Sequence, residues 1–227
     1  MPSSFSVRQA IAESLKKNIG PGLLLQAFAV ALLLSFYYHE PTQDFFRRIT
    51  ALRAQTGVLY GIVSTALFGG LIPFVIQRCR PAHRWRAPFK DLPFFLLFWG
   101  LMGFVVDRFY VLQAAVFGDG ADLATVVTKV AVDQGFFAPF LAVPFIALAY
   151  TFKDCGYRFS GVLKTLNKQW LRQDLLPMLI ANAMVWLPTT VVVYLLPLAL
   201  QLPIQNLAQC FWCILLLFLT TPRPKQN

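Results

Sequence analysis

The sequence predicts an all-α, polytopic transmembrane helical bundle of about six spans, and three observations carry that prediction. Apolar residues make up 57% of the 227 positions, charged residues only 13%, and the mean hydropathy is +0.60. Soluble domains carry about 25% charge, so a chain this apolar must use lipid as most of its solvent. The second observation is a series of long apolar segments. The third is the placement of the basic residues between them.

In chain order, residues 5–19 read as an amphipathic helix on the membrane face. Val7, Ile11, Leu15 and Ile19 recur every four positions, with Arg8, Lys16 and Lys17 beside them. This stretch lacks the compact apolar core and small-residue cleavage site of a signal peptide. The spans fall at 22–38, 57–77, 93–117, 126–152, 177–199 and 202–221. Residues 41–56 are too polar to cross, and Phe45, Phe46, Ile49 and Leu52 share one face, which predicts a second surface helix. Asp122, after Gly118-Asp119-Gly120, is a helix N-cap for the fourth span. Pro197 to Pro203 form the tight hairpin between the last two spans. The chain makes one membrane domain, with residues 1–94 as an N-terminal region and 95–227 as a four-span core.

With six spans the loops alternate sides. Residues 1–21, 78–92, 153–176 and 222–227 hold 15 of the 19 Lys and Arg outside the third span; the opposite side holds Arg47, Arg48, Arg53 and Lys129. Cytoplasmic loops are the basic ones, so both termini are expected in the cytoplasm. The net charge of +10 then belongs to anionic head groups rather than to nucleic acid. A bacterial or mitochondrial inner membrane would show the same bias.

Polar residues inside the membrane are the candidate functional set, because each is expensive to place there. Asp107 and Arg108 lie in the third span; Lys129, Asp133 and Gln134 lie in the fourth. Counting residues places Arg108 and Asp133 at similar depth, which predicts an ion pair between them, with Asp107 turned toward Lys129 or water. Gln201, Gln205 and Gln209 recur every four residues with Asn206 alongside, whereas Ile214 to Leu219 are apolar. The expected arrangement is a wet cavity open to the non-cytoplasmic side and sealed toward the cytoplasm. The same side chains would also serve as hydrogen-bonding glue between helices, and the residues alone leave both readings open.

Gly57, Gly61, Thr65 and Gly69 form a small-residue stripe suited to close helix packing, within the chain or between copies in a homo-oligomer. Cys79, Cys155, Cys210 and Cys213 make no disulfide framework, and Cys210-Phe211-Trp212-Cys213 sits in an apolar helix where inert buried thiols are expected. His39 and His83 have no ligand-like neighbours, and no phosphate loop, metal motif or nucleophile elbow is present. The expectation is a protein without enzymatic activity, metal or cofactor.

Lys129-Val-Ala-Val-Asp133-Gln134, with Pro139 five positions on, resembles the Lys-x3-Asp-Gln-x4-Pro signature of the Mpv/PMP family. This family comprises the twenty-two-kilodalton-class peroxisomal membrane protein and its Mpv mitochondrial inner-membrane relatives. Gly103 with Tyr110 is similar to that family's Gly-Pro-x4-Trp-Tyr, with Phe104 and Phe109 in place of the Pro and Trp. Asp174, Asn182 and Trp186 match the stretch leading into its Trp-Pro, with Leu187 at the proline position. Pro197, Asn206 and Trp212 keep its spacing, with Gln201 where an arginine is usual. The resemblance covers residues 95–221 and implies a four-span core to which the first apolar segment is added. It also implies a weakly selective channel for small solutes in an organelle membrane, which admits the peroxisomal membrane as a location.

Overall fold

The computed structural model describes residues 7–79 and 88–219. The basic segment with His83 and the C-terminal tail lie outside the described residues. Those described are almost entirely helical: α1 Val7–Tyr38, α2 Glu40–Thr56, α3 Val58–Cys79, α4 Leu92–Phe117, α5 Leu123–Asp154, α6 Phe159–Thr165, α7 Lys168–Tyr194 and α8 Leu198–Leu219. Six of them (α1, α3, α4, α5, α7 and α8) are long and apolar enough to cross a membrane, which makes the chain an integral membrane protein. Its outer belt agrees: Leu97, Phe140, Leu23 and Val63 are more than 60% exposed, a surface that only lipid would solvate.

Directions alternate as six crossings require. Phe109 stacks on Phe137, Phe98 packs on Phe145 and Phe94 on Tyr150, so α4 and α5 run antiparallel. Gln26 meets Val185 while Tyr37 meets Leu195, so α1 and α7, two odd-numbered spans, run parallel. Both ends of the described chain therefore fall at one end of the bundle, called here the terminal end.

The N-terminal region differs from the sequence expectation. Residues 7–19 are not a separate surface helix; they are the first turns of α1, a continuous helix of 32 residues. At 1.5 Å per residue that is about 48 Å, longer than the ~30 Å hydrocarbon core, so its basic start projects beyond the bilayer. Within α1 Pro21 stays helical and buried, and a Cβ at Gly22 would sit 3.5 Å from Val185. Gly22 serves the α1–α7 contact.

The second surface helix is present as α2, although only Phe46 of its expected apolar face is buried; Phe45 and Leu52 are exposed. Asp122 does cap α5, accepting from the Thr125 amide at 3.0 Å, and the Thr125 hydroxyl and amide hold its carboxylate below the usual range. The hairpin turn is tighter than expected, confined to residues 195–197, and Pro203 lies inside α8.

The small-residue stripe packs α3 against α4 within this chain. A Cβ on Gly103 would come 2.2 Å from the Gly61 carbonyl oxygen, and one on Gly69 would enter the Trp99 ring at 2.8 Å. Gly57 is not part of that stripe. It is the exposed turn between α2 and α3, with φ 56°, a conformation that favours glycine. At the terminal end Tyr157, at φ 63°, donates to the buried Asp91 at 2.8 Å; burial and that acceptor push its phenol up to about 12.

Candidate functional site

The intramembrane polar residues separate into two groups that the sequence reading had merged. The first lies at the end of the bundle opposite the termini. Asp107 of α4 accepts from Arg53 Nη2 of α2 at 2.6 Å and from Arg108 Nε at 3.1 Å, one carboxylate oxygen for each. Arg53 Nη1 also donates to the Leu198 carbonyl at 2.7 Å. This fastens the surface helix over the α7–α8 turn.

The expected Arg108–Asp133 pair is therefore absent, as is a contact between Asp107 and Lys129. Adjacent residues on a helix diverge at Cβ, but an arginine arm is long enough to fold back on its neighbour. The depth estimate also missed the register. Phe109 stacks on Phe137 at 3.9 Å, which sets Asp133 level with the region of Gln113, about one turn beyond Arg108.

Asp133 belongs to the second group. Its Oδ2 accepts from the Tyr194 hydroxyl at 2.7 Å and its Oδ1 from Gln134 Nε2 at 3.0 Å. Gln113 donates to Tyr194, and Gln134 Nε2 also reaches the Thr190 hydroxyl at 3.1 Å. The network joins α4, α5 and α7. Tyr194 and Gln113 escape sequence reading because an aromatic at a span end looks like an interfacial anchor and a lone glutamine like a surface residue.

Asp133 and Gln134 line a cavity of about 290 Å³ along the bundle interior. Gln205, Asn206, Gln209, Asn182 and Thr190 add amides and a hydroxyl to its wall. Trp99, Tyr110, Tyr150, Trp186 and Trp212 line it as well. Of the residues singled out in sequence, Asp107, Arg108, Lys129 and Gln201 are not on this wall. Gln201 is buried and donates to the Leu196 carbonyl at 3.1 Å. Lys129 is fully buried, with Nζ 5.8 Å from the Tyr194 ring centroid and no hydrogen-bond partner among the described residues.

The cavity's lining extends away from the end where an opening was expected. It runs from the level of Asp133 and Thr190 toward Tyr150, Met178 and Leu216, that is, toward the terminal end. The opposite end is filled by Phe46, Val126, Val130, Val193, Leu196 and Leu200, packed with Tyr110 and Tyr194. Aliphatic side chains at the end of α8 were expected to make the seal. The seal comes instead from the α7–α8 turn and the α2 cap, where the chain doubles back and crowds its side chains.

Several polar residues are clamps. The Thr65 hydroxyl donates to Asn206 Oδ1 at 2.9 Å and Asn206 Nδ2 donates to Ser64 at 3.0 Å, joining α3 to α8. Gln26 donates to the Val185 carbonyl at 2.8 Å and to Thr189 at 3.0 Å, joining α1 to α7. Gln209 donates to Cys213 Sγ at 3.3 Å, and Cys210 is buried. Among the other motif positions, Gly103 makes the α3 crossing, Pro139 lies in a widened π-type stretch of α5, Asp174 is exposed, and Pro197 is in the last turn. No protein-family model matches this chain, and no curated protein or solved structure is significantly similar to it.

Proposed function

We propose that this integral membrane protein is a weakly selective pore or channel for small solutes, seen with its route closed at the end remote from the termini. The carrying observation is the cavity itself, about 290 Å³ of space walled by one carboxylate, amides, hydroxyls and aromatic rings in the middle of an apolar bundle. Helix glue requires only contact; an interior space with convergent polar groups is what a solute pathway requires. The resemblance to the Mpv/PMP family implies the same class of activity. The charge of the basic loops supports a cavity facing the cytoplasmic side of a bacterial or mitochondrial inner membrane, near anionic head groups.

A second reading is a structural or assembly module without transport. The α3–α8 and α1–α7 clamps favour it, since interhelical hydrogen bonds of this kind stabilise a bundle by about 0.6 kcal/mol each. Purified protein in proteoliposomes decides between them. The pathway reading expects flux of small solutes, and single cysteines replacing Gln205 or Gln209 in a cysteine-free variant should react with an impermeant thiol reagent from the terminal side only. Unreactive sites with no flux of any small anion, cation or neutral solute leave the structural module.

A further inference from the structure

We infer that the cavity is a binding site for a small organic cation, an amine or quaternary ammonium. This inference rests on the cavity being open to solute, as the proposed function holds.

Charge is the first argument. Among the described residues, Asp133 is the single acid on the wall, and no Lys, Arg or His lines it. Of the basic residues at the remote end, Arg53 and Arg108 are held by Asp107. Lys129, one turn before Asp133, lies off the wall beside the Tyr194 ring. The cavity therefore presents an anion without a basic neighbour on its own surface. A second anion would be repelled there, and a cation would be held.

Unfilled acceptors are the second argument. Each Asp133 oxygen accepts one side-chain bond, from Gln134 and from Tyr194, and a carboxylate has room for about four. Gln134 Oε1 is buried on the same stretch of wall and has no hydrogen-bond partner among the described residues. Acceptors left over at one place suit a ligand that brings N–H donors or positive charge.

The aromatic residues are the third. Three of the chain's five tryptophans, Trp99, Trp186 and Trp212, line this space together with Tyr110 and Tyr150. Indole and phenol faces carry negative potential and attract alkylammonium groups, most strongly where water is excluded. A hydrated metal ion would use the carboxylate and ignore the rings. An organic cation uses both. A volume of about 290 Å³ lies at the small end of ligand cavities, which run roughly from 300 to 1,000 Å³, so the ligand is compact.

The test uses intact protein in nanodiscs and three probes of similar shape: phenyltrimethylammonium, neutral tert-butylbenzene and anionic benzoate. Binding is read by tryptophan fluorescence and by competition. The cation should bind at least tenfold more tightly than either other probe, and Asp133→Asn should remove most of that preference. Should that variant not fold, Trp186→Leu should weaken the cation several-fold and benzoate not at all. Equal binding of the neutral probe by the unaltered protein overturns the inference. If flux occurs without a cation preference, the inference fails while the pathway stands. Cation binding without flux of any solute removes the pathway and leaves a receptor site.

Discussion

Asp107 is 1% exposed and both of its oxygens are taken up by arginine, one from its own helix and one from α2. Removing one partner of a buried ion pair strands the other charge, at a cost of about 3–5 kcal/mol. Asp107→Ala, which strands the largely buried Arg53, should therefore lower stability in detergent by that order, and Arg53→Ala by less, because Arg108 still pairs with Asp107. Arg53→Ala with Asp107→Ala should cost less than the two single losses added. Arg108, half exposed on its side chain, should cost much less when replaced by alanine. Additive losses for Arg53 and Asp107 in a denaturation series would show that they do not interact. The acids at 107 and 133 are visible in the sequence because charge in an apolar run is conspicuous. Two of their partners are not. Arg53 sits in a polar segment where arginine is ordinary, and Tyr194 reaches Asp133 only through a helix register that counting residues missed. Lys129 has no hydrogen-bond partner to find among the described residues.

Helix crossings depend on smaller residues. At the α3–α4 contact the backbones approach so closely that a Cβ on Gly103 would meet the Gly61 carbonyl oxygen at 2.2 Å, and backbone cannot rotate away as a side chain can. Gly103→Ala should thus destabilise by at least the 1–3 kcal/mol typical of overpacking. Gly135→Ala is the control with the opposite sign. Nothing lies within 4 Å of a Cβ there, and the gain in helix propensity should leave stability unchanged or raise it by up to about 1 kcal/mol. Thermal unfolding of both variants in the same detergent checks the pair; equal losses would show that the crossing is looser than described. The stripe at Gly61, Thr65 and Gly69 announces a close contact in the sequence, but which partner helix it meets is a property of the assembled bundle. Gly57 misleads for a physical reason. A small residue reads alike whether it makes a turn, as at 57, or lets a neighbouring helix approach, as at 22.

For the molecule as a whole, the span count and the alternation of direction are legible in the sequence because both follow from apolar length and loop charge. The cavity's orientation is not, since it depends on where side chains crowd rather than on where polar ones occur. Single cysteines at Asp119 and Lys168, both exposed and at opposite ends, should label from opposite faces of intact vesicles, with Lys168 on the cytoplasmic face. Labelling from one face would break the six-span arrangement. Labelling with the faces exchanged would reverse the cavity's direction in the membrane. The lopsided filling of the bundle has an electrical consequence. On the proposed pathway, a vestibule that fills with water from the terminal end to Asp133 would conduct, so little of the transmembrane voltage would fall along it. Most would be concentrated across the packed septum formed by Tyr194, Tyr110 and the α7–α8 turn. A monovalent cation resting at Asp133 would have traversed almost none of the field, and its passage through the septum would carry nearly the whole ~2.3 kcal/mol per 100 mV.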